Sequence, residues 1–229
     1  MTQMREHPGS PALPTSEQLI NRLAGQLRPV RRLWPPSLRF VVIGLLQLVV
    51  LGVAGFALGI RDDVASMLHG DRLVVELASI LALATACAVM ALLIAIPGRE
   101  PARRVAIGAM GVAVLGLAIS FATFPAGDST DFVGMGWPCA ARTLAVAAVP
   151  WIVLVLAVRR GATLFPALAG MLTGTASLLF ASASVRMSCP LDTAGHLLVW
   201  HLLPVILGVV ASILVGALCL SDRHRARSR

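Results

Sequence analysis

Charge is what this chain has least of. Only 13% of its 229 residues are Asp, Glu, Lys or Arg, against 57% apolar, and there is no Lys: all 19 basic residues are Arg. A soluble domain is about a quarter charged and roughly 45–50% apolar, so this composition excludes an ordinary water-soluble enzyme. Catalytic signatures are missing too. There is no Walker motif, no HExxH, no GxSxG and no CxxC. Without a CxxC, a membrane thiol oxidoreductase lacks its exchanging dithiol. No clustered nucleophile or metal set points to a membrane enzyme of another kind. A cleavable signal peptide is also absent by pattern: the first apolar run starts near residue 40, is long enough to span, and has no small-residue cleavage site. Internal repeats are not evident.

What the chain does have is long apolar runs. A bilayer core takes roughly 20 helical residues to cross, and six runs approach or exceed that length: Phe40–Ile60, Leu73–Ile96, Val105–Phe124, Thr143–Val158, Ala162–Val185 and His196–Leu220. The fourth is short and is expected to start earlier, near Cys139, drawing Arg142 into its first turn. The arginines test this division. Fifteen fall on one side: Arg5, Arg22, Arg28, Arg31, Arg32 and Arg39, then Arg99, Arg103 and Arg104, then Arg159 and Arg160, then Arg223, Arg225, Arg227 and Arg229. Four fall on the other, Arg61, Arg72, Arg142 and Arg186, beside Asp62, Asp63, Asp71, Asp128, Asp131 and Asp192. A five- or seven-span division scrambles this split. The positive-inside bias then predicts an all-α polytopic membrane protein of six transmembrane helices with both termini cytoplasmic. The formal net charge of +8 reads as topology rather than as a nucleic-acid surface. The expected organisation is a cytoplasmic segment over 1–38, a membrane domain over 39–221 and a basic tail over 222–229.

Residues 1–14 are polar and rich in Pro and Gly, and are expected to be disordered. After them, Thr15 or Ser16 can cap a helix with Glu17 and Gln18 in its first turn. Leu19, Ile20, Leu23 and Leu27 follow at helical spacing as one apolar stripe. Pro29 and the Pro35-Pro36 pair end the helix. So short a helix is unstable alone in water. Its stripe must meet the bilayer surface, the rest of the protein or a partner, and Arg28, Arg31 and Arg32 would suit anionic lipid.

Four cysteines remain to be placed. Cys139 (in GWPC) and Cys189 (in SCPLD) fall between spans on the arginine-poor, outward side, which is oxidising in a bacterium with an outer membrane. Cys87 and Cys219 fall within spans and read as small buried hydrophobes. For the outward pair, three states are open: a permanent disulfide tying two loops, a dithiol–disulfide switch, or a soft-metal site assisted by His196 or Asp192. His196 and His201 lie five apart, about 140° round an α-helix, which makes a poor shared site. A buried, hydrogen-bonded His201 is the expectation. Glu76 is within snorkelling reach of water, and Gln47 is expected to bond a neighbouring helix. Pro150, Pro166 and Pro204 stand where they can kink helices. Gly170/Gly174 and Gly55/Gly59 make GxxxG pairs that imply close packing. The nearly bare interior argues against a transporter.

Taken together, LINRLAGQLRPVRRLWPP, GWPC and SCPLDTAGHLLVWHLLP resemble the NrsF-like anti-sigma factors, negative regulators of an extracytoplasmic-function sigma factor of the sigma-F type. The specific parts are LxPVRRL, from Leu27 to Leu33, and the stretch from Cys189 to His201. The resemblance implies a non-enzymatic, multi-pass inner-membrane protein that sequesters its sigma factor. It further implies release under oxidative or heavy-metal stress through two periplasmic cysteines, whose positions Cys139 and Cys189 match. On this reading Leu19, Ile20, Leu23 and Leu27, with Arg22, Arg28, Arg31 and Arg32, bind the sigma factor. Its partners are that sigma factor and the bilayer, with no direct nucleic-acid contact and no cofactor. Cys139, Cys189 and His196 stand as possible soft-metal ligands. The rival is a small six-helix transporter or channel with a structural periplasmic disulfide.

Overall fold

A computed structural model of the chain describes residues 15–26, 34–67, 69–96, 100–122, 125, 132–161 and 163–220. The expectations for residues 1–14, Leu27 to Leu33 and the 222–229 tail lie outside these. The chain divides into two units, Met1–Leu33 and Trp34–Arg229. All regular structure among the described residues is helical.

The first unit contributes α1, Ser16–Gly25. Its start is a capping box: the Gln18 amide donates to Thr15 Oγ1 at 3.4 Å, and the Thr15 amide donates to Gln18 Oε1 at 3.1 Å. Two otherwise orphaned donors are thereby satisfied, with Glu17 in the first turn facing the positive end of the helix dipole. Leu19, Ile20 and Leu23 are exposed.

The second unit contains α2 (Pro36–Leu58), α3 (Val64–Met67), α4 (Asp71–Leu93), α5 (Glu100–Ala122), α6 (Phe132–Arg159) and α7 (Pro166–Arg186). It ends in α8, Ala194–Cys219. Among the described residues, five helices are long and apolar enough to cross a membrane: Ser37–Leu58, Arg72–Leu93, Val133–Arg159, Pro166–Arg186 and Ala194–Cys219. The sixth apolar run lies on α5, where Ile107–Ile119 is the apolar stretch among the described residues.

Helix α7 is the centre of the bundle, buried along nearly its whole length from Ala169 to Arg186. Its sequence is rich in Ala, Gly, Ser and Thr, and small side chains let neighbouring backbones approach closely where lipid offers no competing hydrophobic drive. Helices α4, α6 and α8 pack on it, and α5 packs on α4. At the α8 contact a Cβ on Gly170 would lie 2.2 Å from the Ser212 carbonyl, and one on Gly216 only 2.6 Å from the Gly170 Cα. The Gly170/Gly174 pair is therefore a close-packing site. Gly55 and Gly59 are not: neither meets another group within 4 Å, and Gly59 instead closes α2 at a φ of +76°, a conformation that favours glycine.

Helix α6 begins at Phe132, well before Thr143, so Cys139 lies inside a helix and not in a loop. Gly134, Gly136 and Pro138 read locally as non-helical. Burial of Gly136, Cys139 and Ala140 against the bundle overrides that preference. Cys87 is buried as expected, whereas Cys219 is exposed, on the outward face of the last turn of α8.

Candidate functional site

The two Cys-Pro motifs meet. Cys139 on α6 and Cys189 in the α7–α8 loop are both buried, with their Sγ atoms 3.6 Å apart and no disulfide between them. Val185 completes the cluster, and Leu58, Leu191 and Trp200 pack around it. GWPC carries a glycine for a steric reason. A Cβ on Gly136 would lie 2.1 Å from Trp200 Nε1, so only glycine lets the α8 indole lie against α6.

The histidines join the same cluster, which corrects the α-helical reading of their spacing. Residues Leu197–Leu202 form a π-helical turn inside α8. Its i→i+5 hydrogen bonding brings residues five apart nearly onto one face, and the His196 and His201 rings stand 5.5 Å apart, centre to centre. His196 Nε2 is 3.3 Å from Cys189 Sγ. The ligand atoms of Cys139, Cys189, His196 and His201 all lie within 4.8 Å of one another, and all four residues are buried. His201 is buried as expected, but neither of its ring nitrogens has a hydrogen-bond partner among the described residues, and nor does His196 Nδ1.

A chain of charges holds the Cys189 loop. Arg186 Nε donates to Glu76 Oε1 at 2.9 Å, and its Nη2 pairs with Asp192. From the α2–α3 connection, Arg61 Nη1 donates to the Cys189 carbonyl at 2.8 Å, while its Nη2 donates to Asp192 Oδ2 at 3.0 Å and its Nε to Asp63 Oδ1 at 2.5 Å. Glu76 therefore does not snorkel. It is 2% exposed and paired across the bundle with Arg186, itself 1% exposed. Burial pushes the Asp192 carboxyl up, but hydrogen bonds from Arg61 and the charge of Arg186 outweigh it and hold the group below the usual carboxylate range. The Asp63 hydrogen bond raises Arg61 further above its ordinary value. The Cys139 thiol, directed at Cys189, holds the Cys189 thiol below the ordinary thiol range. Burial opposes this.

At the other end of the bundle, Arg39 is buried and its Nη2 donates to the Ala157 carbonyl at 2.6 Å, near the C-terminus of α6. Gln47 is buried on α2. Of the residues expected to bind a partner, Leu19, Ile20, Arg22 and Leu23 lie on α1. Leu27, Arg28, Arg31 and Arg32 fall outside the described residues. Arg61, Arg186 and His201 were not singled out for the site by sequence; the "WH" of LVWH was the available signal.

The NrsF family, described as negative regulator of sigma F, matches residues 23–221. The chain belongs to the NrsF family. The match takes in all six apolar runs, both Cys-Pro motifs and both histidines. Neither the curated proteins nor the solved structures include a significant match to the chain. NrsF proteins act as anti-sigma regulators and not as catalysts. For this NrsF member the family implies a sigma-factor partner and a place in the membrane, and its apolar helices agree with the latter.

Proposed function

We propose that this chain holds an extracytoplasmic-function sigma factor at the inner membrane through its cytoplasmic N-terminal segment. Release follows a change of state at Cys139 and Cys189 on the periplasmic side of six transmembrane helices. The observation that carries this reading is the pairing of the two thiols: residues fifty apart in sequence bring their sulfurs to 3.6 Å in a buried cluster. A peroxide that oxidises them takes up two protons and two electrons and leaves as water. The sulfurs then close to about 2.05 Å. A thiophilic metal is the alternative stimulus at the same atoms.

A route inward is supported by α2. At one end Leu58 packs on the thiol cluster and the Arg61 amide donates to the Met187 carbonyl at 3.1 Å. At the other end Arg39 bonds α6, the helix that carries Cys139. Helix α2 starts at Pro36, directly after the segment proposed to bind the sigma factor. On that segment Leu19, Ile20, Leu23 and Leu27 are the apolar contact, and Arg22, Arg28, Arg31 and Arg32 pair with acidic sigma residues. A tenfold loss of affinity needs only about 1.4 kcal/mol, which modest repacking supplies.

The test is co-purification of the full-length protein with the cell's sigma factors, with and without peroxide or cadmium. Retention that falls on stress in the wild type, but not in Cys139→Ser or Cys189→Ser, is the expected result. No sigma factor retained under any condition refutes the reading. Unchanged release in both variants removes the cysteines as sensor.

A further inference from the structure

We infer that Cys139, Cys189, His196 and His201 form a four-coordinate site for one divalent, tetrahedral d¹⁰ cation of the zinc–cadmium class. This deepens the reading above, on which its regulatory meaning rests. Zinc bonds of about 2.3 Å to sulfur and 2.0–2.1 Å to nitrogen place the edges of a Cys₂His₂ tetrahedron at about 3.3–3.8 Å. The Sγ–Sγ separation of 3.6 Å and the Sγ–Nε2 separation of 3.3 Å between Cys189 and His196 lie in that range. The four ligand atoms lie within 4.8 Å of one another, so the widest edge, which must involve a nitrogen, exceeds its ideal by at most about 1.5 Å.

Two further observations point to a ligand rather than to packing alone. His201 is 5% exposed, and neither of its ring nitrogens has a hydrogen-bond partner among the described residues. A buried polar group left in that state costs roughly 1–3 kcal/mol, and coordination of a metal by one His201 nitrogen removes that cost at the coordinating atom. The π-helical turn at Leu197–Leu202 is the second. Such turns are rare and occur frequently at functional sites, and without this one His201 would point away from His196.

Charge selects the cation. On binding, each thiol releases its proton, and two thiolates with two neutral imidazoles neutralise a dication. The neighbouring charges, Arg61 and Arg186 against Glu76, Asp192 and the exposed Asp63, supply no positive excess that would replace a dication. A monovalent cation would leave a net negative charge at low dielectric. Mixed imidazole and thiolate donors also suit zinc better than an oxygen-seeking ion. Bound metal keeps the sulfurs apart as thiolates, so the metal-loaded state and the disulfide exclude each other.

The experiment is a cobalt(II) titration of the reduced, full-length protein in detergent, followed by zinc displacement and zinc-edge X-ray absorption of the wild type. One cobalt per chain is expected, with a sulfur-to-cobalt charge-transfer band that halves in Cys139→Ser or Cys189→Ser. His201→Gln should bind at least tenfold more weakly. The absorption shell should hold two sulfurs and two nitrogens, a readout that depends on no variant. Absence of the charge-transfer band, or a shell of any other composition, overturns the site whatever the sigma-factor result. A metal-loaded protein that never retains a sigma factor leaves the site standing and overturns the regulatory reading instead.

Discussion

Replacing Arg186 with Met removes the positive partner of Glu76 at a depth where neither side chain is more than 3% exposed. Removing one member of a buried pair costs about 3–5 kcal/mol, because the other charge stays desolvated and uncompensated. Asp192 suffers less, since Arg61 still donates to it at 3.0 Å. The double change Arg186→Met/Glu76→Leu takes out both charges together, and such replacements are often close to neutral. It does not restore the hydrogen bonds from Arg186 to Asp192 and to the Cys189 carbonyl, so its recovery is partial. The single variant should therefore lose about 3–5 kcal/mol and the double should recover at least about 2 of it. Reversible unfolding in mixed detergent micelles reads both. A maleimide reaction at Cys189 adds a local readout, because the loop that presents this thiol loses one of its two arginine anchors. Singles that each cost under about 1 kcal/mol, or a double equal to the sum of the singles, would refute the coupling.

Three other outcomes follow from the same geometry. Gly136→Val should cost about 1–3 kcal/mol by overpacking, because its branched side chain meets the Trp200 indole. It should also speed thiol labelling at Cys139, whereas Gly134→Ala, two residues earlier on the exposed face, should do neither. Asp192 is held low in the folded protein, so its stabilisation is fully present above the unfolded carboxyl value of about 3.9. That stabilisation disappears as pH falls through the lower folded value. Unfolding followed across acid pH should show the loss, and Asp192→Asn should remove that part of the dependence. Leu23→Asp places a charge in the apolar stripe of α1 and should weaken sigma-factor retention at least tenfold, about 1.4 kcal/mol, without changing the unfolding of the membrane unit.

Much of this protein was legible in one dimension, because the relevant physics is local. Apolar runs must be helical and lie in lipid wherever no water satisfies the backbone. Among the described residues, five of the predicted runs lie on helices long and apolar enough to span, and the sixth lies on α5. Of the two caps the local sequence offers, Thr15 and Ser16, the helix uses Thr15, whose contacts close within four residues. The two Cys-Pro motifs stood out against their apolar surroundings, and they meet.

The rest needed the third dimension. Local preference placed Cys139 in a loop, but packing of Gly136 against Trp200 extends α6 through it. Glu76 looked solvent-bound because its partner, Arg186, is 110 residues away in the chain. The His196–His201 spacing read as divergent under α-helical periodicity, and a π-helical turn brings the rings together. A hydrogen-bond register that shifts by one residue leaves no signature in side-chain spacing. Sequence determined that two thiols would be singled out in an apolar, multi-span chain. Only tertiary packing decided that two histidines and two arginines would stand with them, since Arg61 reaches Cys189 and Arg186 reaches Glu76 across more than a hundred residues and the π-helical turn swings His201 toward His196.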